Sequence, residues 1–201
     1  MSQSLKSILI VIAVLIIDQT SKIWIKTHMM LGQEYKIIGD WFIIHFTEND
    51  GMAFGWDIPG SWGKLILTLF RIIAVSGIGY YIHQLIKEKV STGLVISMSL
   101  ILAGAIGNIV DSVFYGIIFN DSYYQIATMF PEAGGYGKLF YGRVVDLFYF
   151  PIINTHYPQW FPFIGGNHLI FFRPVFNVAD AAISVGVMII LFFQRSYFSK
   201  L

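Results

Sequence analysis

Four windows, at about residues 7–26, 64–86, 92–118 and 175–193, are almost continuously apolar. Their lengths match the roughly 20 residues an α-helix needs to cross about 30 Å of hydrocarbon. Inside a bilayer a chain must satisfy its own backbone polar groups, so such windows read as spanning helices. Hydrophobic residues make up 56% of the 201 and charged ones 12%, which takes the chain out of the soluble globular class. The expected fold is membrane all-α: a four-transmembrane-helix bundle forming one polytopic domain over residues 1–201, with no internal repeat.

Composition also removes some functions. The net charge is +1, with no basic tract, so nucleic acid is not expected as a partner. Cysteine is absent, which excludes disulfides, a thiol nucleophile and thiolate metal sites. Lys6 followed by SILIVIAVLII has the charged flank and short apolar core of a secretory leader. However, DQTSK offers no small-x-small cleavage site, and apolar character resumes at Ile23, Trp24 and Ile25, so a retained first helix is expected.

Four spans put both termini on one side and the long connections, 27–63 and 119–174, on the other. Basic residues do not decide which side is which. Lys6, Lys87, Lys89, Arg195 and Lys200 lie with the termini, and Lys22, Lys26, Lys64 and Arg143 lie opposite. The lysines of the short loop KEKVST favour that loop as cytoplasmic. In the first connection, β-branched and aromatic runs flank Gly39 and Asp40, which predicts a β-hairpin. The second is rich in Tyr, Phe, Trp, Gly and Pro and is expected to be a long interfacial loop.

Counting about 1.5 Å per helical residue, Asp18, Asp111 and Asp180 fall at one end of the bundle, with Asp146 in the connection at that end. Ionisable groups at membrane depth are costly and generally functional. Two simpler readings stand beside this one: Asp18 and Lys22, at i and i+4, could neutralise each other, and Asp180 could be a helix-start carboxylate favoured by the dipole. GNIVD and FNVAD both set an Asn three residues before an Asp, Asn108 with Asp111 and Asn177 with Asp180, a spacing that shares one helical face. Ala103 with Gly107 and Ala182 with Gly186 form small-xxx-small patterns for close helix approach.

Ser21 and Lys22 are neighbours and point about 100° apart on a helix, which disfavours a serine/lysine pair. The five histidines show no HExxH and no i, i+4 pairing, so no metal and no cofactor is expected. Paired aspartates remain. Held close, one keeps a proton while the other stays charged, supplying acid and base for water attack on an amide. The competing reading is a proton- or cation-coupled carrier. A carrier should have ionisable groups reachable from both faces, whereas SILIVIAVLI and SVGVMIILFF, the halves nearest the termini, carry no charge.

The ordered set DQTSK, NDGMAFG, GNIVD, GRVVD and FNVAD resembles the lipoprotein signal peptidase family, signal peptidase II, over nearly the whole chain. The resemblance implies a cofactor-free intramembrane aspartic endopeptidase of the bacterial inner membrane; a monomer surrounded by membrane lipids is expected, although the sequence itself does not fix the oligomeric state. Such an enzyme removes signal peptides from prolipoproteins just before a diacylglyceryl-modified cysteine. It also implies cytoplasmic termini, an active site near the outer face and a hairpin cradle above that site. Asp146 and Asp180 become the catalytic pair, and Asp18, Asn49, Gly51, Asn108, Asp111 and Asn177 match positions that line the pocket or support the pair. The chain departs from the pattern at Ser112, where the family commonly has arginine, and in its longer 113–141 and 148–173 segments. Arg143 is one possible replacement for that arginine.

Overall fold

The computed structural model describes residues 1–50, 61–156, 158–171 and 174–198, so Gly51 lies outside the described residues. The elements run α1 (Gln3–His28), β1 (Glu34–Ile38), β2 (Phe42–Asn49), α2 (Ser61–Lys87), α3 (Thr92–Ile118), β3 (Val144–Tyr149), β4 (Ile153–His156), β5 (His168–Phe171), β6 (Val175–Phe176) and α4 (Val178–Phe198). Helices α1, α2 and α3 are each long and apolar enough to cross a membrane, and Val178–Phe193 of α4 forms a shorter apolar helix.

Local chemistry sets the helix ends. Ser2 caps α1 by accepting from the Leu5 amide at 3.2 Å, and Ser91 caps α3 by accepting from Leu94 at 3.4 Å. Along α1 and α2 the large apolar side chains, Ile12, Ile16, Phe70 and Ile73 among them, point outward. That is the pattern of helices whose solvent is lipid rather than water. The hub is α3, with 39% of its apolar window buried against 17% for α1 and 11% for α2.

The helix-approach motifs do what their spacing predicts. A Cβ on Gly186 of α4 would lie 2.6 Å from the Ser97 carbonyl oxygen, and one on Gly107 would touch Ala179 and Asp18. Between α3 and α4 the glycine approach is closest at Gly104, where a Cβ would lie 2.1 Å from the Ala179 oxygen. Helices α3 and α4 therefore meet backbone to backbone beside the polar ends of both. Ser7 and Ser99 share a buried 2.7 Å hydrogen bond that ties α1 to the same hub.

Three expectations need correction. The hairpin forms with its turn at Gly39–Asp40, yet it is half of a four-stranded antiparallel sheet ordered β1-β2-β3-β6, because the second connection supplies β3 and the residues just before the last helix supply β6. That connection is thus not a loop throughout, and β4 and β5 pair within it as well. The last helix begins at Val178 rather than Val175, since Val175 and Phe176 pair with Tyr149 and Phe148.

The window at 92–118 is helical to its end but widens to a π-helical turn over Asp111–Tyr115. Backbone amides from the connection take up its carbonyls, Gly142 donating to Ser112 at 2.8 Å and Phe140 to Val113 at 3.0 Å. Such turns recur at functional sites. A Cβ on Gly142 would lie 2.0 Å from the Asp111 oxygen, so only glycine lets the chain pass this close before entering β3.

Candidate active site

Asp146 comes from β3 and Asp180 from the first turn of α4, and Asn177 joins them. Its side-chain amide donates to Asp146 Oδ1 at 2.7 Å and to the Val145 carbonyl at 3.2 Å. Its side-chain oxygen accepts from the Asp180 amide at 2.9 Å, while the Asn177 amide donates to Asp180 Oδ2 at 3.4 Å. This reciprocal pair is a capping box. Asn177 therefore caps α4 rather than sharing its face, and Asp180 is both a helix-start carboxylate and a member of the cluster. On the α3 side, Asn108 does lie in a helix. It donates to Asp180 Oδ1 at 2.8 Å and accepts from Asn177 at 3.2 Å. Asn49, at the end of β2, donates to Asp146 Oδ2.

Beneath this pair lies a second buried layer. Lys22 bridges Asp18 at 2.9 Å and Asp111 at 2.8 Å, and all three side chains are wholly inaccessible. The pairing of Asp18 with Lys22 is therefore real and extends to a second carboxylate. Lys22 also donates to Asn108 Oδ1 at 3.0 Å. Gln19, which the motif reading passed over, donates to Asp18 at 3.0 Å and Asp111 at 2.9 Å. Ser21 instead donates to the Asp18 carbonyl at 2.8 Å, away from Lys22.

The carboxylates of this layer also reach upward. Asp18 accepts from the Ala179 amide at 2.9 Å, and Asp111 accepts from the Val145 amide at 3.3 Å. These are the residues immediately before Asp180 and Asp146. Asp18 and Asp111 thus act as rivets, each fixing the backbone of one upper aspartate, while Lys22 offsets their charge. An ionised acceptor strengthens such a bond to a backbone amide, and the Asp18 contact has the shorter, stronger geometry of the two.

Arg143 does not join either layer. It pairs with Glu48 at 3.3 Å and Asp121 at 3.6 Å and stacks its guanidinium over Tyr136. Glu48 also pairs with the buried Lys26, whose ammonium donates to Ser122 at 2.8 Å. This separate ionic cluster pins the long connection to α1 and β2 next to Asn49. The sequence signal for it was a lysine one turn beyond Lys22, at a depth where charges need partners.

Asp146 is 4% exposed, and burial, reinforced by the charge of Asp180, pushes its carboxyl up to about 7 against the donated bonds of Asn177 and Asn49. A carboxyl raised that far can keep a proton close to neutral pH, where an ordinary aspartate has lost it. Asp180, at a helix N-terminus with two donors on its oxygens, is suited to carry the negative charge. One acid and one base sit at one locus, with a cavity of about 230 Å³ beside them, lined by Asn108 and Asp180 together with Arg71, Ala74, Val75 and Ile183.

A family model described as Signal peptidase (SPase) II matches residues 10–195. The chain is 50% identical over 183 residues to the lipoprotein signal peptidase of Porphyromonas gingivalis, covering 90% of this chain and 79% of that one. It is 38% identical over 190 residues to that of Amoebophilus asiaticus, covering 93% and 76%. In fold it is similar to a solved bacterial membrane enzyme, with a TM-score of 0.62 and 24% identity over 97% of this chain and 91% of that one. Taken with the aspartate site already described, the match shows that this chain belongs to the signal peptidase II family of aspartic peptidases.

Proposed function

We propose that this chain removes signal peptides from diacylglyceryl-modified prolipoproteins, cutting on the amino side of the lipidated cysteine, with Asp146 and Asp180 as its catalytic pair. The observation that carries this reading is the single Asn177 side chain, which donates to the Asp146 carboxyl and accepts from the Asp180 amide, with burial pushing that Asp146 carboxyl up to about 7. Asp180 removes a proton from a water molecule as its oxygen bonds to the scissile carbonyl carbon, and Asp146 gives its proton to the carbonyl oxygen. Asp180 then passes its proton to the departing amine as the C–N bond breaks, and Asp146 recovers its own as the carboxyl product forms. Both groups end in their starting states.

Asn108, Asn177 and Asn49 hold the two carboxyls, and Asp18, Asp111 and Lys22 hold the backbone beneath them. In this reading the chain is one domain working as a monomer, with four helices crossing the inner membrane. Its termini are cytoplasmic and its site lies near the outer face, with the sheet over it as a cradle. A lipid-anchored substrate then presents its peptide bond at the depth of the aspartates. The carrier reading is not favoured by the family.

The test is to replace Asp146 or Asp180 singly by Asn and assay a lipidated prolipoprotein in detergent. Cleavage should fall by about a thousandfold or more, as for loss of an acid–base group that acts as a unit, while both variants insert and fold. If both still process substrate near the wild-type rate, the pair is not catalytic.

A further inference from the structure

Arg71 lies in α2, about ten residues from its start, or roughly 15 Å along the helix axis. A guanidinium at that position in an apolar helix is costly to place and marks a polar task. It lines the cavity that also contains Asn108 and Asp180, close enough to Asp180 for the two charges to interact. The rest of that lining is apolar and partly small: Ala74, Val75, Ile78, Ala105 and Ile183. The neighbouring cations are committed elsewhere, Lys22 to Asp18 and Asp111, and Arg143 to Glu48 and Asp121. Ser112 brings no charge, and its hydroxyl donates to the Asn108 carbonyl at 2.9 Å.

We propose that Arg71 is a substrate-binding residue whose guanidinium holds backbone carbonyl oxygens of the signal peptide beside Asp180, with apolar substrate side chains in the alanine-lined part of the cavity. This rests on the peptidase reading above. A signal peptide entering as a helix must unwind to expose the bond to be cut, and unwinding leaves carbonyl oxygens without partners where water is scarce. Arginine offers five donors and no acceptor, which suits several carbonyls at once. An anionic ligand is disfavoured there because Asp180 shares the cavity. Asn108, already committed to Asp180, orients the carboxylate, while Arg71 orients the chain to be cut.

The test compares Arg71→Gln, Arg71→Lys and Ala74→Leu with wild type in cleavage of a lipidated prolipoprotein peptide. Binding of the same peptide to the Asp146→Asn protein is measured with and without Arg71→Gln. Arg71→Gln should raise KM, and weaken binding, by roughly 10- to 100-fold, as expected for lost charge-assisted bonds, with both limbs of the pH profile in place. Arg71→Lys should recover part of the loss, because its ammonium keeps the charge without the planar fork. Ala74→Leu, which fills the apolar part, should also raise KM, and it keeps the idea testable should Arg71→Gln fail to fold. Unchanged KM and binding in Arg71→Gln, or unchanged KM in Ala74→Leu, overturns the proposal. So does a fall in kcat alone with a displaced pH limb, the mark of a counter-charge for Asp180. If Asp146→Asn itself cleaves the peptide, the catalytic pair has failed instead, and the wild-type kinetics still judge Arg71.

Discussion

Replacing Gly104 by alanine should disable the site without touching an ionisable group. The added Cβ would lie 2.1 Å from the Ala179 carbonyl oxygen and 2.7 Å from Ile183 Cγ1. Ordinary contact begins near 3.4 Å, and the nearest obstacle is backbone, so α3 and α4 must part by about an ångström at this level. Overpacking of this kind costs about 1–3 kcal/mol. The kinetic effect should be larger in proportion, because Ala179 immediately precedes Asp180 and its amide is held by Asp18. A misplacement of about 1 Å at a reacting group can cost about 100-fold. Initial rates on a lipidated substrate in detergent, read beside thermal unfolding, separate the two effects. The expected result is kcat/KM down by about 10- to 100-fold with a folded, less stable protein. Gly77→Ala is the control: nothing lies within 4 Å of its added Cβ, so activity should hold and stability rise by about 0.5–1 kcal/mol. A Gly104→Ala enzyme within twofold of wild type, with unchanged unfolding temperature, would refute the view that backbone contact between α3 and α4 positions Asp180.

Asp146 also makes stability depend on pH. Its proton stays on the folded protein up to about pH 7, whereas an unfolded aspartate releases it near 4, so between these values the folded state binds more protons and stability falls as pH rises. Asp146→Asn should therefore unfold at a higher temperature than wild type above pH 7, by an amount on the order of 2–4 kcal/mol, with the advantage fading towards pH 4. Wild-type activity should decline as pH passes above about 7 and the shared proton is lost. Lys22→Met would leave Asp18 and Asp111 buried without their cation, both being wholly inaccessible. A loss of about 3–5 kcal/mol is expected, seen as poor recovery of folded protein from membranes. Recovery and melting equal to wild type would remove Lys22 from the role assigned to it.

Much of this protein is legible without coordinates, because the bilayer leaves the sequence few choices. Long apolar windows must be helices, ionisable residues within them must have work to do, and the hairpin follows from strand-forming runs around Gly39 and Asp40. Depth counting alone set Asp18, Asp111 and Asp180 at one level, and the family motifs separated Asp146 and Asp180 from the other two. Spacing could not assign roles within the cluster, since those depend on partners distant in the chain. Asn177 reads as a helix-face neighbour of Asp180 until Val175 and Phe176 are seen to pair with β3, which moves the helix start and makes Asn177 its cap. The sequence matches Asp18 and Asp111 to positions that line the pocket or support the pair, and only the fold shows their carboxylates accepting from the amides of Ala179 and Val145. Arg71 carries no motif at all, and only the packing of α2 against α3 brings it to the cavity that Asp180 also lines. Periodicity and hydropathy are properties of one segment, so the sequence determined the helices and the level of the site. Which amides Asp18 and Asp111 hold, and which side chains hold Asp146 and Asp180, are properties of contacts between segments, and only the tertiary structure decided them.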